Sequence, residues 1–258
     1  MARPVAIITG ASAGIGMALA RVFADHGHEL VLIARREDRL RGLAQEIAAR
    51  NRPRPLVLGL DLTQPGASER VAAALAVTDL EPQYVVNNAG FGLWGASAQL
   101  SRAEQLAMVD LNVRTLVDLS LAFVDSLARH RGGILNVASV AAFLPGPYMT
   151  VYYASKAFVL SFSEALRAEL MPRDVRVTTL CPGPVPTEFQ ARAGGVPHSE
   201  TNRWLARSAE QVALAGYRGL MAGKAVVVPG WTNRIITFLP RLVPRTLLAD
   251  QMGRMQAR

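Results

Sequence analysis

The sequence is short of the residues that most often announce a site. Cysteine occurs once, at Cys181, so no internal disulfide framework is available; a reducing, cytoplasmic setting is expected. Cys181 precedes Pro182-Gly183 in an apolar run, which suits a buried strand end better than a nucleophile. Histidine occurs four times, scattered from His26 to His198, and no His/Cys/carboxylate spacing builds a metal site. Lysine occurs only at Lys156 and Lys224. No run reaches the roughly 18 uncharged apolar residues needed to span a bilayer. The N-terminus imitates a secretion signal, with Arg3 ahead of small and apolar residues, but Gly10, Gly14 and Gly16 interrupt it where a strand-to-helix turn needs them.

What is abundant is arginine, and the formal charge is +8 over 258 residues. A basic chain can bind nucleic acid, but no helix-turn-helix, zinc or aromatic ribonucleoprotein pattern accompanies the charge, so nucleic acid is not an expected partner. Half of the residues are hydrophobic, enough for one large α/β core.

Short apolar runs alternate with longer amphipathic segments, the pattern of βαβ units. Strands are predicted at Val5–Thr9, Glu29–Ala34, Pro55–Leu60, Tyr84–Asn88, Gly133–Ala138, Arg176–Leu180 and Ala225–Pro229. Helical segments are predicted near 15–26, 37–50, 65–77, 102–129, 151–171 and 201–222. This describes a Rossmann-type, doubly wound α/β domain on a seven-stranded parallel sheet over residues 1–230, followed by a basic, apolar extension at 231–258. The Pro- and Gly-rich stretch from Pro182 to about Thr201 is expected to form a lid loop with a short helix at the carboxyl edge of the sheet.

The first strand runs into Thr9-Gly10-Ala11-Ser12-Ala13-Gly14-Ile15-Gly16 and then a helical pattern. Glycines in that context let backbone approach a pyrophosphate at a helix N-terminus, and the Ser12 hydroxyl can reach a phosphate oxygen. The second strand ends Ala34-Arg35-Arg36 with no acid at its tip. An acid there binds a ribose 2′-hydroxyl, whereas arginine accommodates a 2′-phosphate, so Arg35 and Arg36 favour NADP(H) over NAD(H). Asp61-Leu62 follows the third strand, where an acid can accept from an adenine amino group. Asn88-Ala89-Gly90 closes the fourth with residues small enough for a ribose and nicotinamide to lie against backbone.

Tyr152 and Lys156 are four apart and follow Ser139. Residues at that spacing share a helix face, so the ammonium can lie beside the phenol, stabilise the phenolate and make tyrosine a usable proton donor and acceptor. From five Tyr and two Lys, about 0.04 such pairs are expected by chance. Tyr153 is one residue out of phase and is expected to be a decoy.

With Thr9-Gly10-x-x-x-Gly14-x-Gly16, Asp61, Asn87-Asn88-Ala89-Gly90, Asn112, Ser139, Tyr152-x-x-x-Lys156 and Pro182-Gly183-x-Val185-x-Thr187, the chain resembles the short-chain dehydrogenase/reductase family from about residue 4 to 229. The resemblance implies NAD(P)-dependent hydride transfer at a carbonyl or alcohol carbon. It implies a proton-transferring Tyr152, a Lys156 that also holds the nicotinamide ribose, a Ser139 that donates to the substrate oxygen, and an Asn112 that kinks a helix and holds a relay water. Gly10, Ser12, Gly14, Ile15, Gly16, Leu62, Ala89, Val185 and Thr187 are expected against the cofactor, the last two at the carboxamide. Ala13 departs from the pattern: many NADP-preferring relatives carry a basic residue inside this turn. Dimers or tetramers are implied by the same resemblance.

Phe91, Leu93, Trp94, Phe143, Leu144, Pro145 and Phe189 suggest an apolar substrate pocket, with Arg192, His198 and Arg203 near enough in sequence to meet an anionic group. The tail after Gly230 alternates apolar bulk with arginine, which suits packing on the protein or a second subunit and also suits peripheral contact with an anionic membrane. The expected substrate is a lipophilic ketone, a 3-oxoacyl thioester or a secondary alcohol. The alternatives are a sugar, polyol or hydroxy acid, or a non-catalytic NADPH sensor that would have no need of Ser139, Tyr152 and Lys156.

Overall fold

The computed structural model describes residues 2–194, 206–238, 240 and 243–256. Seven strands form one sheet: β1 (Arg3–Thr9), β2 (Glu29–Ala34), β3 (Leu56–Gly59), β4 (Leu80–Asn87), β5 (Gly133–Val137), β6 (Arg176–Leu180) and β7 (Val226–Val227). Their order is β3-β2-β1-β4-β5-β6-β7, and every neighbouring pair is parallel. The central strands are apolar throughout because both sheet faces are covered. In β1, Ala6 and Ile8 point into one core while Val5 and Ile7 point into the other, the period-two alternation of a strand.

One face carries α1 (Gly14–Asp25), α2 (Glu37–Ala49) and α9 (Ala209–Met221). The other carries α3 (Ala67–Val77), α5 (Thr115–Ala122), α6 (Val124–Arg129) and α7 (Thr150–Leu170). The chain winds outward in both directions from β1 and β4, and the crevice between their carboxyl ends is the switch point where ligands of such sheets bind.

Three departures from the sequence reading have physical causes, while the short lid helix is present as expected. The helix expected over 102–129 is broken into α4 (Arg102–Val109), a π-helical turn at Asp110–Arg114, α5 and α6. The strand expected at 225–229 shrinks to β7, since Pro229 has no N–H for a ladder. The helix expected over 201–222 begins at Ala209 behind a Ser208–Gln211 capping box, and 201–205 lie outside the described residues. The short lid helix is α8 (Glu188–Ala193).

The tail folds into α10 (Trp231–Phe238) and α11 (Arg245–Gln256). α10 packs against the 3₁₀ turn Val140–Phe143 that follows Ser139. Contact is so close at Gly183 that a Cβ there would lie 2.5 Å from the Asn233 amide. The outward side of α10 exposes Trp231, Ile235 and Phe238. Among the described residues no helix is long and apolar enough to cross a membrane.

Candidate active site

The carboxyl ends of the strands open into a cleft of about 900 Å³. At its floor Thr9 ties β1 to β4. Its hydroxyl donates to the Val86 carbonyl at 3.1 Å and accepts from the Asn88 and Ala89 amides at 2.9 and 3.0 Å. The Asn88 side chain returns the bond, donating to the Thr9 carbonyl at 2.9 Å. Gly10 and Gly14 take positive φ, at 65° and 53°, a region open to glycine at no steric penalty. α1 begins at Gly14 with no side-chain cap and no acid in its first turn, which leaves its N-terminal N–H groups and dipole available to an anion.

Gly10, Ser12, Gly14 and Ile15 line this cleft, as do Arg35, Arg36, Asp61 and Leu62 from the ends of β2 and β3. Asn88, Ala89 and Gly90 line its middle, and Ser139, Tyr152, Lys156, Val185 and Thr187 close the far side. Two expected site residues stand elsewhere. Gly16 is buried behind the turn, where a Cβ would come within 2.3 Å of the Gly10 carbonyl oxygen, so its contribution is close packing. Asn112 sits in the π turn and is buried rather than on the helix surface. Its amide donates to the Phe91 carbonyl at 3.0 Å and to Ser155 Oγ at 3.1 Å, and its oxygen accepts from the Phe91 amide at 3.1 Å. The side chain is thus occupied in clamping the Gly90–Phe91 segment to α7.

Tyr152 and Lys156 converge as their spacing requires, with Nζ 5.8 Å from the phenol ring centre. The ammonium is buried and donates to the Val137 carbonyl at 2.8 Å. The electrostatic expectation needs correction. Desolvation pushes Tyr152 up to about 12, opposed by hydrogen bonding to Ser139, and the same desolvation lowers Lys156 to about 8. Burial is the largest influence on each, and it shifts both towards their neutral forms while leaving Lys156 an ammonium at neutral pH. Ser139 Oγ accepts from the Ala141 amide at 3.1 Å, which aims its hydroxyl. Cys181 is buried at the end of β6, and desolvation first of all raises its thiol to about 12.

At the other end Arg36 donates to Ser12 Oγ at 3.2 Å and pairs with Glu188 of the lid at 2.7 Å. Arg39 binds the same carboxylate. Glu188 carries no signal of its own in the sequence, although Thr187-x-x-Gln190 is a legible capping box that starts a helix there. Phe91, Leu93 and Phe189 line the cleft as expected, joined by Met149 and by Tyr153. Trp94, Phe143, Leu144 and Pro145 do not line it, Phe143 being turned into the core against Val159 by the 3₁₀ turn. Arg192 lies 4.2 Å over the Phe91 ring. His198 and Arg203 lie outside the described residues. No cluster that could hold a metal ion occurs among the described residues.

Residues 4–195 match the family described as short chain dehydrogenase. A sulfoacetaldehyde reductase of Chromohalobacter salexigens is 40% identical over 195 residues, 74% of this chain and 77% of that protein. A short-chain dehydrogenase from Sphingobium yanoikuyae, solved in complex with NADPH, superposes with a TM-score of 0.80 at 30% identity, covering 96% of each chain. A 7β-hydroxysteroid dehydrogenase superposes with a TM-score of 0.84 at 26% identity, over 97% of this chain and 96% of that one. By fold, by these matches and by the residues gathered in its cleft, the chain belongs to the short-chain dehydrogenase family, whose members are oxidoreductases acting on the alcohol–carbonyl pair.

Proposed function

We propose that this protein transfers a hydride between NADP(H) and the carbonyl or secondary alcohol carbon of a lipophilic substrate, with ketones and 3-oxoacyl thioesters as the leading class. The observation that carries the reading is one cleft with Ser139, Tyr152 and Lys156 at one end and Arg35 and Arg36 at the other.

The residues fit a dinucleotide. The glycine turn brings bare backbone to the cleft: Gly10 and Gly14 both take positive φ and both line it, as does Gly90 further along. The uncapped start of α1 would hold the pyrophosphate, Arg35 and Arg36 the 2′-phosphate, Asp61 and Leu62 the adenine, Lys156 the nicotinamide ribose, and Val185 and Thr187 the carboxamide. When bound, the cofactor supplies or takes the hydride. In reduction, Ser139 Oγ donates to the substrate carbonyl oxygen, a bond that strengthens as negative charge develops there. Tyr152 Oη then gives that oxygen its proton, forming the alcohol, and the phenolate is reprotonated from water. Burial keeps the phenol protonated near neutrality, so the proton is present to be given, and an alkoxide is a strong enough base to take it from a phenol at about 12. Asn112 acts as a positioning residue, holding the Gly90–Phe91 backbone to the helix that bears Tyr152 and Lys156.

The apolar wall of Phe91, Leu93, Met149 and Phe189 supports the lipophilic class. Arg192 at the cleft mouth, together with the identity of the sulfoacetaldehyde reductase, favours a second reading, a small anionic hydroxy acid or aldehyde. NADPH oxidation across medium-chain ketones, 3-oxoacyl thioesters and small carboxylated or sulfonated aldehydes separates the two. Higher kcat/KM on the anionic aldehydes overturns the lipophilic reading. Tyr152→Phe should lower kcat by about 10²- to 10⁴-fold while NADPH still binds, and near-parental turnover would refute the catalytic assignment.

A further inference from the structure

The lid carries an acid where the cofactor reading places a phosphate. Glu188 opens α8, its position set by the Thr187–Gln190 capping box. Its carboxylate pairs with Arg36 at 2.7 Å and with Arg39. Arg36 meanwhile holds Ser12 of the glycine turn. One guanidinium therefore joins the nucleotide turn to the lid. The two arginines keep the Glu188 carboxyl below its ordinary range, so it is ionised at every pH near neutrality.

The rest of α8 reaches the catalytic end. Phe189, the next residue, packs with its ring centre 5.2 Å from that of Tyr152, the two rings tilted by 50°. Arg192, one turn on, covers Phe91. Its pKa is lowered by desolvation and then by the positive charges of Arg35 and Arg36, which places it in the field of the same cluster. The Ala193 carbonyl accepts from the Trp94 amide at 2.7 Å, tying the far end of the helix to the loop after β4. α8 thus spans the cleft, with an anion at the arginine cluster and an aromatic ring on Tyr152.

We propose that Glu188 is a specificity-determining residue: its carboxylate occupies the 2′-phosphate subsite, and a phosphorylated dinucleotide must displace it, which frees α8 from Arg36 and Arg39. This rests on the reading of Arg35 and Arg36 as the phosphate site. Displacement is favoured for that ligand because a phosphate carries close to two negative charges and three acceptor oxygens against the single charge of a carboxylate. A dinucleotide without the 2′-phosphate keeps its pyrophosphate at the start of α1 and brings no second anion to compete with Glu188 for Arg36 and Arg39, so the ion pair stays in place. Phe189 is joined to Glu188 by one peptide bond, so release at the arginines is transmitted to the ring lying on Tyr152.

The test uses 2′,5′-ADP and 5′-ADP, which lack nicotinamide and report the subsite without turnover. Calorimetric titration of the whole protein should show 2′,5′-ADP binding tighter than 5′-ADP. In Glu188→Gln, loss of two exposed ion pairs should tighten 2′,5′-ADP by about three- to tenfold and leave 5′-ADP unchanged. Glu188→Asp, which keeps the charge, should return 2′,5′-ADP affinity towards the parental value. Unchanged or weakened 2′,5′-ADP binding in Glu188→Gln, or equal tightening of both ligands, overturns the proposal while leaving the phosphate site standing. A parent that does not distinguish the two ligands overturns the phosphate site itself, and the proposal with it.

Discussion

Lys156→Met should separate what the buried ammonium does for chemistry from what it does to stability. Lys156 is 5% exposed, and desolvation lowers its pKa from 10.5 to about 8. A displacement of that size corresponds to about 3 kcal/mol of stability withheld from the folded protein wherever the lysine is protonated in both states. The sign follows from proton counts. Below pH 8 folded and unfolded chains both bind the proton, and the full penalty applies. Between pH 8 and 10.5 only the unfolded chain binds it, so stability attributable to this residue rises with pH. From pH 7 to pH 9.5 the rise is about 2 kcal/mol. Methionine has no such dependence. Cys181 and Tyr152 titrate in both proteins, so their contributions largely cancel in the difference. The bond to the Val137 carbonyl is also lost, leaving that acceptor unsatisfied at a penalty of about 1–3 kcal/mol, but this loss is independent of pH. Urea unfolding of the cofactor-free proteins at the two pH values should therefore show the variant losing about 2 kcal/mol relative to the parent as the pH is raised. A stability difference that is the same at both values would refute the desolvation argument.

Three further outcomes follow from the geometry. Arg35→Ala should weaken NADPH binding about ten- to a hundredfold and leave NADH nearly unaffected, measured by nicotinamide fluorescence; equal losses would remove the phosphate assignment. Gly16→Ala should destabilise the fold by about 1–3 kcal/mol, because the new methyl meets the Gly10 carbonyl, and an unchanged urea midpoint would contradict that packing. Because desolvation holds Tyr152 protonated to about pH 12, single-turnover reduction should show no loss attributable to ionisation of the phenol between pH 6 and 7.5, below the range where Lys156 discharges; a fall across that interval would mean the phenol titrates far lower than its surroundings dictate.

The sheet was legible in the sequence because each strand is a short apolar run set between turns and amphipathic segments, and parallel strands buried on both faces need little else. The ends were less so. β7 is cut short at Pro229, and the helix over 102–129 breaks at Asn112 because that amide turns to Phe91 and Ser155, partners 21 and 43 residues away. No local periodicity encodes such a pairing. The Tyr152–Lys156 face was legible because a four-residue spacing is a local property of any helix. Their ionisation was not, since the burial comes from strand ends and the lid, which meet only in the fold. The pocket wall was partly misread for the same reason: a 3₁₀ turn sends Phe143 inward and brings Met149 and Tyr153 to the cleft instead.

Both perturbed groups of the catalytic pair move towards their uncharged forms, the phenol up and the ammonium down. That is the direction burial by surrounding side chains gives, and not the one an ion pair gives. The orientation of each side chain accordingly comes from uncharged neighbours, the Val137 carbonyl for Lys156 and the Phe189 ring for Tyr152. α10 reinforces this arrangement from behind. It packs on Gly183 and on the turn after Ser139, where the Pro182 carbonyl accepts from the Val140 amide at 2.9 Å. The tail thus holds the strand-end loop that aims the serine. Position is supplied by the chain, and below about pH 8 so is a charge: the Lys156 ammonium beside the ring is the cation that favours loss of the Tyr152 proton in the oxidative direction.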